Sequence, residues 1–386
     1  MDFELPEELR MMQDTLRRFI DNEVIPIERD AYEGHEMKPE VRAKLTKRAQ
    51  ELGFWQIEVP EEYGGMGLGA LARIVLWEQT GRTIAFPRRK QSIFGRDVSP
   101  ILLEFLNEEQ KPNYLLPVIR GEKKAGFAQT EPDAGGDPAG MRTTAVRDGD
   151  HYVINGNKRF ITGADTADFF QVVCVTDKAK GARGGISCIL VDADTPGVKV
   201  LRKQKTMMDD QPYEMAFDNV RAPVKNLIGK EGDGFKMAQT WITFGRMRHA
   251  ALGLGTAERC LELAASYAKQ RVTFGKPLAE RQAVQWMLVD TYMEIQQLRL
   301  LTYKVGHDFD QGKDVRWDSY IVKMTGDRLG FTAADRCMQI HGGMGLTTDL
   351  PIEKFWRDLR SFMITEGPEE ILKQTLSRHV LNLYGK

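Results

Sequence analysis

The sequence FFQVVCVT at residues 169–176 is followed, after the turn-forming GARGG, by ISCILVD at residues 186–192. β-Branched and aromatic residues dominate both runs, which is typical of strands separated by a short turn. Similar runs, bounded by turn signals, are HYVING (151–156), VKVL (198–201) and YEMAFDNV (213–220). Strands at this spacing predict a compact β-barrel or sandwich between residues 125 and 233.

On both sides of this region the apolar residues recur at helical spacing. The N-terminal example is the series Leu9, Met12, Leu16, Phe19 and Ile20. The C-terminal pattern is stronger and keeps to one face: Val284, Leu288, Tyr292, Ile295, Leu298, Thr302 and Val305. We therefore predict an α+β protein, mainly α, with three parts. These are an N-terminal helical domain (1–124), a central β-barrel domain (125–233) and a C-terminal antiparallel four-helix bundle (234–386).

The bulk composition excludes several classes of function. The 54 Lys and Arg residues nearly balance the 55 Asp and Glu residues, so no net field attracts nucleic acid or an anionic membrane. Four cysteines without a CxxC pair and six scattered histidines indicate neither a disulfide framework nor a metal site. The N-terminus is acidic and amphipathic rather than signal-like, and no apolar stretch could span a bilayer. We expect a cytoplasmic protein.

A glycine-rich loop, GFAQTEPDAGGDPAG at residues 126–140, opens the β region. Glycines let backbone amides approach a ligand closely, while Gln129, Thr130 and Asp137 offer side-chain hydrogen bonds. Such a loop could hold a pyrophosphate or a polar heterocycle. Taken alone, it is equally compatible with an ordinary turn.

The next segment, INGNKRFITGADTAD at residues 154–168, contains an Asn155-Gly156 pair that predicts a hairpin turn. Phe160 and Thr162 are two residues apart and are therefore expected on the same face of a strand. An aromatic ring beside a hydroxyl suits a flat heteroaromatic cofactor. Phe160 could equally belong to the core.

These segments resemble the acyl-CoA dehydrogenase family of FAD flavoproteins, in which the loop typically reads TEPxAGSD and is followed by NGxKxxIT. This chain has TEPDAGGD and NGNKRFIT. Two further family-like segments follow, QRVTFGKPLAERQ at 270–282 and MQIHGGMGLTTDLPIEKFWRDLRSFMITEG at 338–367. The resemblance covers nearly the whole chain, and the family's helical, β-barrel, helical architecture matches the three predicted regions.

The resemblance implies a binding role for residues in both halves of the chain. Phe127, Gln129 and Thr130 would line the isoalloxazine, Phe160 would cover one flavin face, and Thr162 would hydrogen-bond N5. Gly136 stands in the loop where the family usually has Ser. The contacts that normally come from a neighbouring subunit would be those of Arg271, Thr273, Phe274, Gln339, Gly342 and Gly343. FAD at a subunit interface implies a homodimer or homotetramer.

Glu366 corresponds to the catalytic base of the family. By itself, a Glu before Gly367 and Pro368 is compatible with an inter-helix gap or with charge stabilisation of the next helix. The resemblance implies that Glu366 removes the α-proton of an acyl-CoA thioester while flavin N5 receives the β-hydride. Arg246 and Thr365 would lie beside the substrate. The alternative base position of the family, immediately before Arg246, is Gly245 here and cannot serve.

The implied activity is dehydrogenation of an acyl-CoA to the trans-2-enoyl-CoA, with electrons passed to an electron-transfer flavoprotein. Alternatives are an acyl-CoA oxidase, an enoyl-CoA reductase or a non-catalytic interaction protein on this scaffold. Three departures from the family pattern, Gly136, Pro368 and Glu370, would weaken FAD retention.

Arg88 lies in the basic segment FPRRKQSIFGRDVSP, which is expected on a helix of the first domain near the acyl pocket. Its position is near that of a carboxylate-binding Arg in members that act on ω-carboxylated acyl-CoAs. The alternatives are a solvated basic helix end or a contact with CoA phosphates.

Overall fold

The computed structural model describes residues 4–33, 36–86, 92–96, 98–137 and 140–385. Its backbone contacts divide into two compact units. The first, called the helical unit below, comprises residues 1–57, 66–95 and 243–386. The second, called the sheet unit, comprises residues 58–65 and 96–242. The three-domain division read from the sequence stays a prediction.

The predicted helical regions on both sides of the sheet are confirmed. The described helices are, in chain order, α1 (Glu7–Phe19), α2 (Pro39–Glu51), α3 (Ala70–Thr80), α4 (Pro100–Phe105), α5 (Lys111–Arg120), α6 (Gly234–Gln270), α7 (Gln282–Asp310), α8 (Arg316–His341), α9 (Ile352–Phe362) and α10 (Glu369–Tyr384). Helices α6, α7, α8 and α9 contribute buried residues to one core, and α10 contacts α8. Within the described part of the chain, every helix is too short or too polar to cross a membrane.

The five strand-like runs of the sequence all form strands. In chain order the described strands are β1 (Tyr32–Glu33), β2 (Glu36–Met37), β3 (Ala125–Ala128), β4 (Thr144–Asp148), β5 (His151–Ile161), β6 (Phe169–Val175), β7 (Ile186–Asp192), β8 (Val198–Lys203), β9 (Tyr213–Pro223), β10 (Val272–Thr273) and β11 (Lys276–Pro277). β3 to β9 form one curled sheet in the order β3-β6-β4-β5-β9-β8, with β7 paired to β6. β1-β2 and β10-β11 are separate small hairpins.

β6 is apolar at every position except Gln171, because both of its faces are buried. Phe169 and Val173 belong to a core with α4 and α5, while Phe170, Val172 and Cys174 belong to a second core among strands of the curled sheet. A strand exposed on one face would show alternating polar residues instead. Burial of each large apolar side chain contributes about 1.5–3 kcal/mol to folding.

The predicted Asn155-Gly156 hairpin turn is wrong. Both residues lie inside β5, where the pairing with β9 shifts register between Ile154 and Gly156. The shift leaves Asn155 opposite two residues of β9, Asp218 and Asn219, so the extra residue lies on β9. A Cβ at Gly156 would come within 2.4 Å of Thr143 Oγ1. The hairpin is made instead by β4 and β5, whose last residue pair is Asp148 with His151.

Helix α6 is fastened to the N-terminal helices by a buried guanidinium. Arg82 is 2% exposed, and its nitrogens contact Asp21 at 2.9 Å, Glu262 at 2.8 Å and Glu258 at 3.3 Å. Buried cations with several anionic partners keep a fixed geometry. This contact stabilises the helix that carries Gly245 and Arg246.

The apolar face predicted for α7 is only partly buried. Ile295, Leu298, Thr302 and Val305 are buried, but Tyr292 is 56% exposed. Hydrophobic periodicity shows which face of a helix is apolar. It does not show how much of that face is buried by the rest of the helical unit.

Candidate active site

Glu366 lies in the link between α9 and α10, which runs from Met363 to Pro368. Pro368 is the N-cap residue of α10, so Glu366 lies outside that helix, and the acidic residues of its first turn are Glu369 and Glu370. The predicted inter-helix gap is confirmed. The backbone of Glu366 is left-handed, with φ of 55°, and Gly367 follows with φ of 101°. A left-handed conformation at a non-glycine residue is costly and typical of functional positions.

Arg246 of α6 contacts this link directly. It is 5% exposed, and its Nε donates to the Glu366 carbonyl at 3.2 Å. Its guanidinium carbon lies 4.3 Å from the ring centroid of Tyr320, a favourable cation–π distance. Burial lowers the pKa of Arg246 from its ordinary value, although Tyr320 and Glu366 oppose the shift.

One donor of this guanidinium has no protein partner. Arg246 Nη1 is buried and forms no hydrogen bond within the described chain. A buried unpaired donor is costly unless a ligand or water satisfies it. It is therefore available to an acceptor atom beside Glu366.

Gly245 leaves the space in which the Glu366 carboxyl group lies. A Cβ built at Gly245 would be 2.8 Å from the carboxyl carbon and 3.0 Å from each carboxyl oxygen. The residue that cannot act as a base thus has a steric role. Thr365, which precedes Glu366, is exposed, and its amide donates to Ser361 O at 3.2 Å.

In the sheet unit, the glycine-rich loop and the end of β5 are brought together. The Arg159 amide donates to Thr130 O at 2.8 Å, and Lys158 Nζ donates to Gln129 O at 2.9 Å. Phe127, on β3, stacks on Trp241 with ring centroids 4.9 Å apart. The two motifs therefore form one surface, as their proposed common ligand requires.

A buried ion pair joins the two motifs. Lys158 Nζ lies 2.8 Å from Glu131 Oε1, and both side chains are almost fully buried. The Glu131 carboxylate also accepts the amides of Arg142 at 2.6 Å and Thr143 at 2.9 Å. Although burial opposes ionisation, the pKa of Glu131 is lowered because Lys158 and these bonds outweigh it. Burial lowers the pKa of Lys158, against the attraction of Glu131.

Phe160 is presented to solvent by a distortion of β5. The register of β5 with β9 shifts between Lys158 and Ile161, and Phe160 has φ of 60° and is 53% exposed. Phe160 is therefore not a core residue. Thr162 follows the strand end at Ile161 and is half-buried, so simple strand alternation does not extend to it.

The remaining predicted cofactor residues lie at one end of the helical unit. Arg271, Thr273 and Phe274 belong to the β10-β11 hairpin, and Phe274 is 98% exposed. Gln339, Gly342 and Gly343, at the C-terminus of α8, are also exposed. Tyr267, shortly before the hairpin, stacks on His341 at 4.3 Å, so the two groups are neighbours.

Comparison with known proteins decides the family. Sequence models of the acyl-CoA dehydrogenase N-terminal, middle and C-terminal domains match residues 6–122, 126–220 and 232–381. (R)-Benzylsuccinyl-CoA dehydrogenase of Thauera aromatica is 34% identical, over 99% of this chain and 97% of that relative. The chain belongs to the acyl-CoA dehydrogenase family.

Solved structures show the same fold. Butyryl-CoA dehydrogenase of Megasphaera elsdenii has a TM-score of 0.85 at 31% identity, covering 99% of this chain and 100% of that one. The structure of PigA with FAD and proline has a TM-score of 0.89 at 27% identity, covering 98% and 99%. This protein is an oxidoreductase of the acyl-CoA dehydrogenase family, and its cofactor is FAD.

The residues of the sheet unit suit an isoalloxazine ring. Phe160 offers an exposed aromatic face, and the side chains of Gln129, Thr130 and Thr162 form no hydrogen bond with other described residues. At Gly135 an added Cβ would meet nothing within 4 Å, so backbone there is open to a ligand. A polar rim of unpaired hydroxyl and amide groups beside an aromatic plane is the donor set that a flavin needs. Gly136 is exposed in the same loop.

Some of these residues had no role in the sequence interpretation. Lys158 and Glu131 lie within the two motifs, but no role was predicted for either. The same is true of Tyr320, an aromatic residue on α8. Lys158 stands between the polar residues Asn157 and Arg159, so the local sequence gives no sign that its side chain is buried. Arg88, by contrast, lies outside the described residues. In the described part of its segment, Ser92–Phe94 form a 3₁₀ turn.

Proposed function

We propose that this member of the family dehydrogenates an acyl-CoA thioester to the trans-2-enoyl-CoA, with Glu366 as the base that removes the α-proton. The observation that carries the proposal is the arrangement at Glu366. Its carboxyl group lies against Gly245, and its strained backbone is bonded to a buried arginine. A carboxylate in a fixed orientation beside an unpaired guanidinium donor suits proton abstraction next to a carbonyl.

The roles of the chain's residues follow from this geometry. Glu366 accepts the α-proton, and Arg246 Nη1 is the free donor that can stabilise negative charge developing beside it. Bound FAD supplies the acceptor for the β-hydride. Phe160 and Thr162, with Gln129 and Thr130, would hold and shield its ring, and the Lys158–Glu131 pair would keep the two motifs together.

Exposed groups of the helical unit support a homo-oligomer in which a neighbouring subunit completes the cofactor site. A monomer with a complete cofactor site of its own would not need to expose Phe274, Arg271 and Gln339 together. The outer face of α7 is also apolar, with Trp286, Val289, Tyr292, Met293 and Leu300 each more than half exposed. Exposed apolar patches of this kind are typical of protein interfaces. We propose a homodimer or homotetramer, with an electron-transfer flavoprotein as electron acceptor.

The substrate class is proposed from Arg88. Benzylsuccinyl-CoA, the substrate in the name of one relative, carries a second carboxylate. By its position in the sequence, Arg88 resembles the arginine of family members that act on ω-carboxylated acyl-CoAs, and a guanidinium binds a carboxylate through two parallel hydrogen bonds. We therefore propose an acyl chain with a free carboxylate.

The decisive experiment is anaerobic mixing of the purified, FAD-loaded protein with straight, branched, aromatic and dicarboxylic acyl-CoAs. Bleaching of the flavin absorbance with formation of the enoyl-CoA supports the proposal, and the rates rank the substrates. Reoxidation by electron-transfer flavoprotein but not by oxygen distinguishes a dehydrogenase from an oxidase. A protein that binds FAD yet is bleached by no acyl-CoA would contradict the proposal.

A further inference from the structure

We infer that Lys323 is a positioning residue that holds the link carrying Glu366, by clamping the carbonyl groups of Phe362 and Gly367. The inference rests on the proposed role of Glu366 as base, because it explains how that residue is held in position. Lys323 lies on α8, which precedes the link by many residues. No role was predicted for Lys323 from the sequence.

The clamp is defined by two hydrogen bonds from one buried ammonium group. Lys323 is 1% exposed, and its Nζ donates to Phe362 O at 3.0 Å and to Gly367 O at 2.8 Å. Phe362 is the last residue of α9, and Gly367 directly follows Glu366. The two carbonyls therefore lie at either end of the segment whose side chain must be aimed at a substrate.

The link needs such a clamp because its backbone is strained. A residue in a sparsely populated backbone conformation is strained and persists only when its surroundings hold it. Glu366, with φ of 55°, is such a residue. The Arg246 bond to its carbonyl holds it from α6, and Lys323 holds the flanking residues from α8.

Lys323 also has an ion contact on its own helix. Asp327, one helical turn later, is 1% exposed, and its Oδ2 lies 2.9 Å from Lys323 Nζ. Neither Asp327 oxygen forms a hydrogen bond within the described chain. A lysine present only to neutralise Asp327 would need no bond to the link, whereas Lys323 is hydrogen-bonded to two carbonyls there. Asp327 supplies the charge that makes burial of the ammonium tolerable.

His249 completes the support from α6. Its Nδ1 lies 3.4 Å from Asp327 Oδ1, and its ring stacks on Phe362 with centroids 4.1 Å apart and planes at 16°. His249 therefore packs on Phe362, directly before the link, and it faces the Asp327 carboxylate that pairs with Lys323. One cluster thus fixes both the start of the link and the lysine.

The test removes the clamp without leaving a buried unpaired charge. In the double variant Lys323→Met/Asp327→Asn both charges are absent, so we expect a melting temperature close to that of the wild type. The primary readout uses FAD-free protein: hydrogen exchange of the Ile364 and Thr365 amides, which donate to Ser361 O at 2.9 and 3.2 Å. We expect their exchange to accelerate about tenfold, equivalent to about 1.4 kcal/mol of local stability.

Activity gives the second readout. In the FAD-loaded double variant we expect the bleaching rate at saturating acyl-CoA to fall about a hundredfold, as for a misplaced catalytic group, with KM changed less than about twofold. The matched control is Arg336→Met/Glu294→Gln. It removes an ion pair of 2.8 Å between α8 and α7 and should leave both readouts unchanged.

Unchanged exchange of the two amides in the double variant would overturn the inference, as would a raised KM at unchanged kcat. If the double variant does not fold, hydrogen exchange of the wild-type protein still tests the inference. Its Ile364 and Thr365 amides must be protected to the same degree as those of α8, and fast exchange there refutes a clamp. If the wild type bleaches with no acyl-CoA, the proposed function fails, while the exchange data still test the clamp.

Discussion

The Glu366 carboxyl group lies against Gly245, so closely that a Cβ at Gly245 would stand 2.8 Å from the carboxyl carbon. The atom that must give way is the end of a flexible side chain rather than backbone. Gly245→Ala should therefore fold normally, and in an α-helix the added methyl favours stability by up to about 1 kcal/mol. Because the carboxylate must move, we expect the rate of flavin bleaching to fall at least about tenfold.

Stopped-flow absorbance at saturating substrate measures this effect. The control Thr240→Ala changes a half-buried position of the same helix, whose hydroxyl donates to Lys236 O within that helix, and should have wild-type rates. A Gly245→Ala protein with full bleaching rate would show that Glu366 does not act from the observed position.

The inter-helix position of Glu366 could be predicted because its determinants are local. Pro368 cannot continue a helix, and Gly367 adopts a positive φ. Both residues therefore predict a gap between two helices from the sequence alone. β6 and β7 were predictable for a similar reason, since a strand buried on both faces is apolar at most of its positions.

Other features depended on partners distant in the chain. Asn155-Gly156 is as compatible with a strand interior as with a hairpin turn, and its pairing with β9 decides between them. The Lys158–Glu131 pair arises only when β5 meets the loop after β3. Exposure of Tyr292 likewise depends on which neighbours α7 has. Sequence patterns define faces and turns, and tertiary contacts decide how they are used.

Glu366→Gln should abolish proton abstraction while leaving the fold intact. The amide has the shape of the carboxylate but cannot accept the α-proton, so bleaching should slow by about three or more orders of magnitude. FAD content and melting temperature should match the wild type. Bleaching at a near wild-type rate would mean that another residue is the base.

Phe160 combines a strained backbone with an exposed ring, so its two contributions can be separated. Phe160→Gly and Phe160→Ala both remove the ring and should weaken FAD binding equally. Only glycine relieves the left-handed conformation, which costs other residues about 1–2 kcal/mol. In the FAD-free protein, denaturant unfolding should therefore show Phe160→Gly to be more stable than Phe160→Ala by about 1 kcal/mol. Equal stabilities would show that Phe160 is not strained.

The Lys158–Glu131 pair should make the sheet unit sensitive to acid. The pKa of Glu131 lies below its ordinary value of 4.5, so its stabilising contribution is complete above that pH. The contribution is lost as pH falls through the lower pKa of the folded state. Glu131→Gln should destabilise the protein by about 3–5 kcal/mol near neutral pH, since Lys158 is left buried and unpaired.

Thermal melting of wild type and Glu131→Gln across this pH range provides the check. The difference between them should shrink as the pH falls below 4.5, because the wild type then loses the same interaction. A difference that stays constant with pH would exclude an ionised pair. Arg120→Gln, which removes an exposed pair with Glu122, serves as control and should melt like the wild type.

Arg88 provides the test of substrate class. If its guanidinium binds a carboxylate at the end of the acyl chain, Arg88→Ala should lower kcat/KM for dicarboxylic acyl-CoAs by about tenfold to a hundredfold, the worth of a charge-assisted hydrogen bond of 1.5–3 kcal/mol. Straight-chain acyl-CoAs should react at unchanged rates. Arg88→Lys keeps the charge without the planar fork and should recover only part of the loss. An equal loss on all chain types would instead assign Arg88 to the CoA moiety, which every substrate shares.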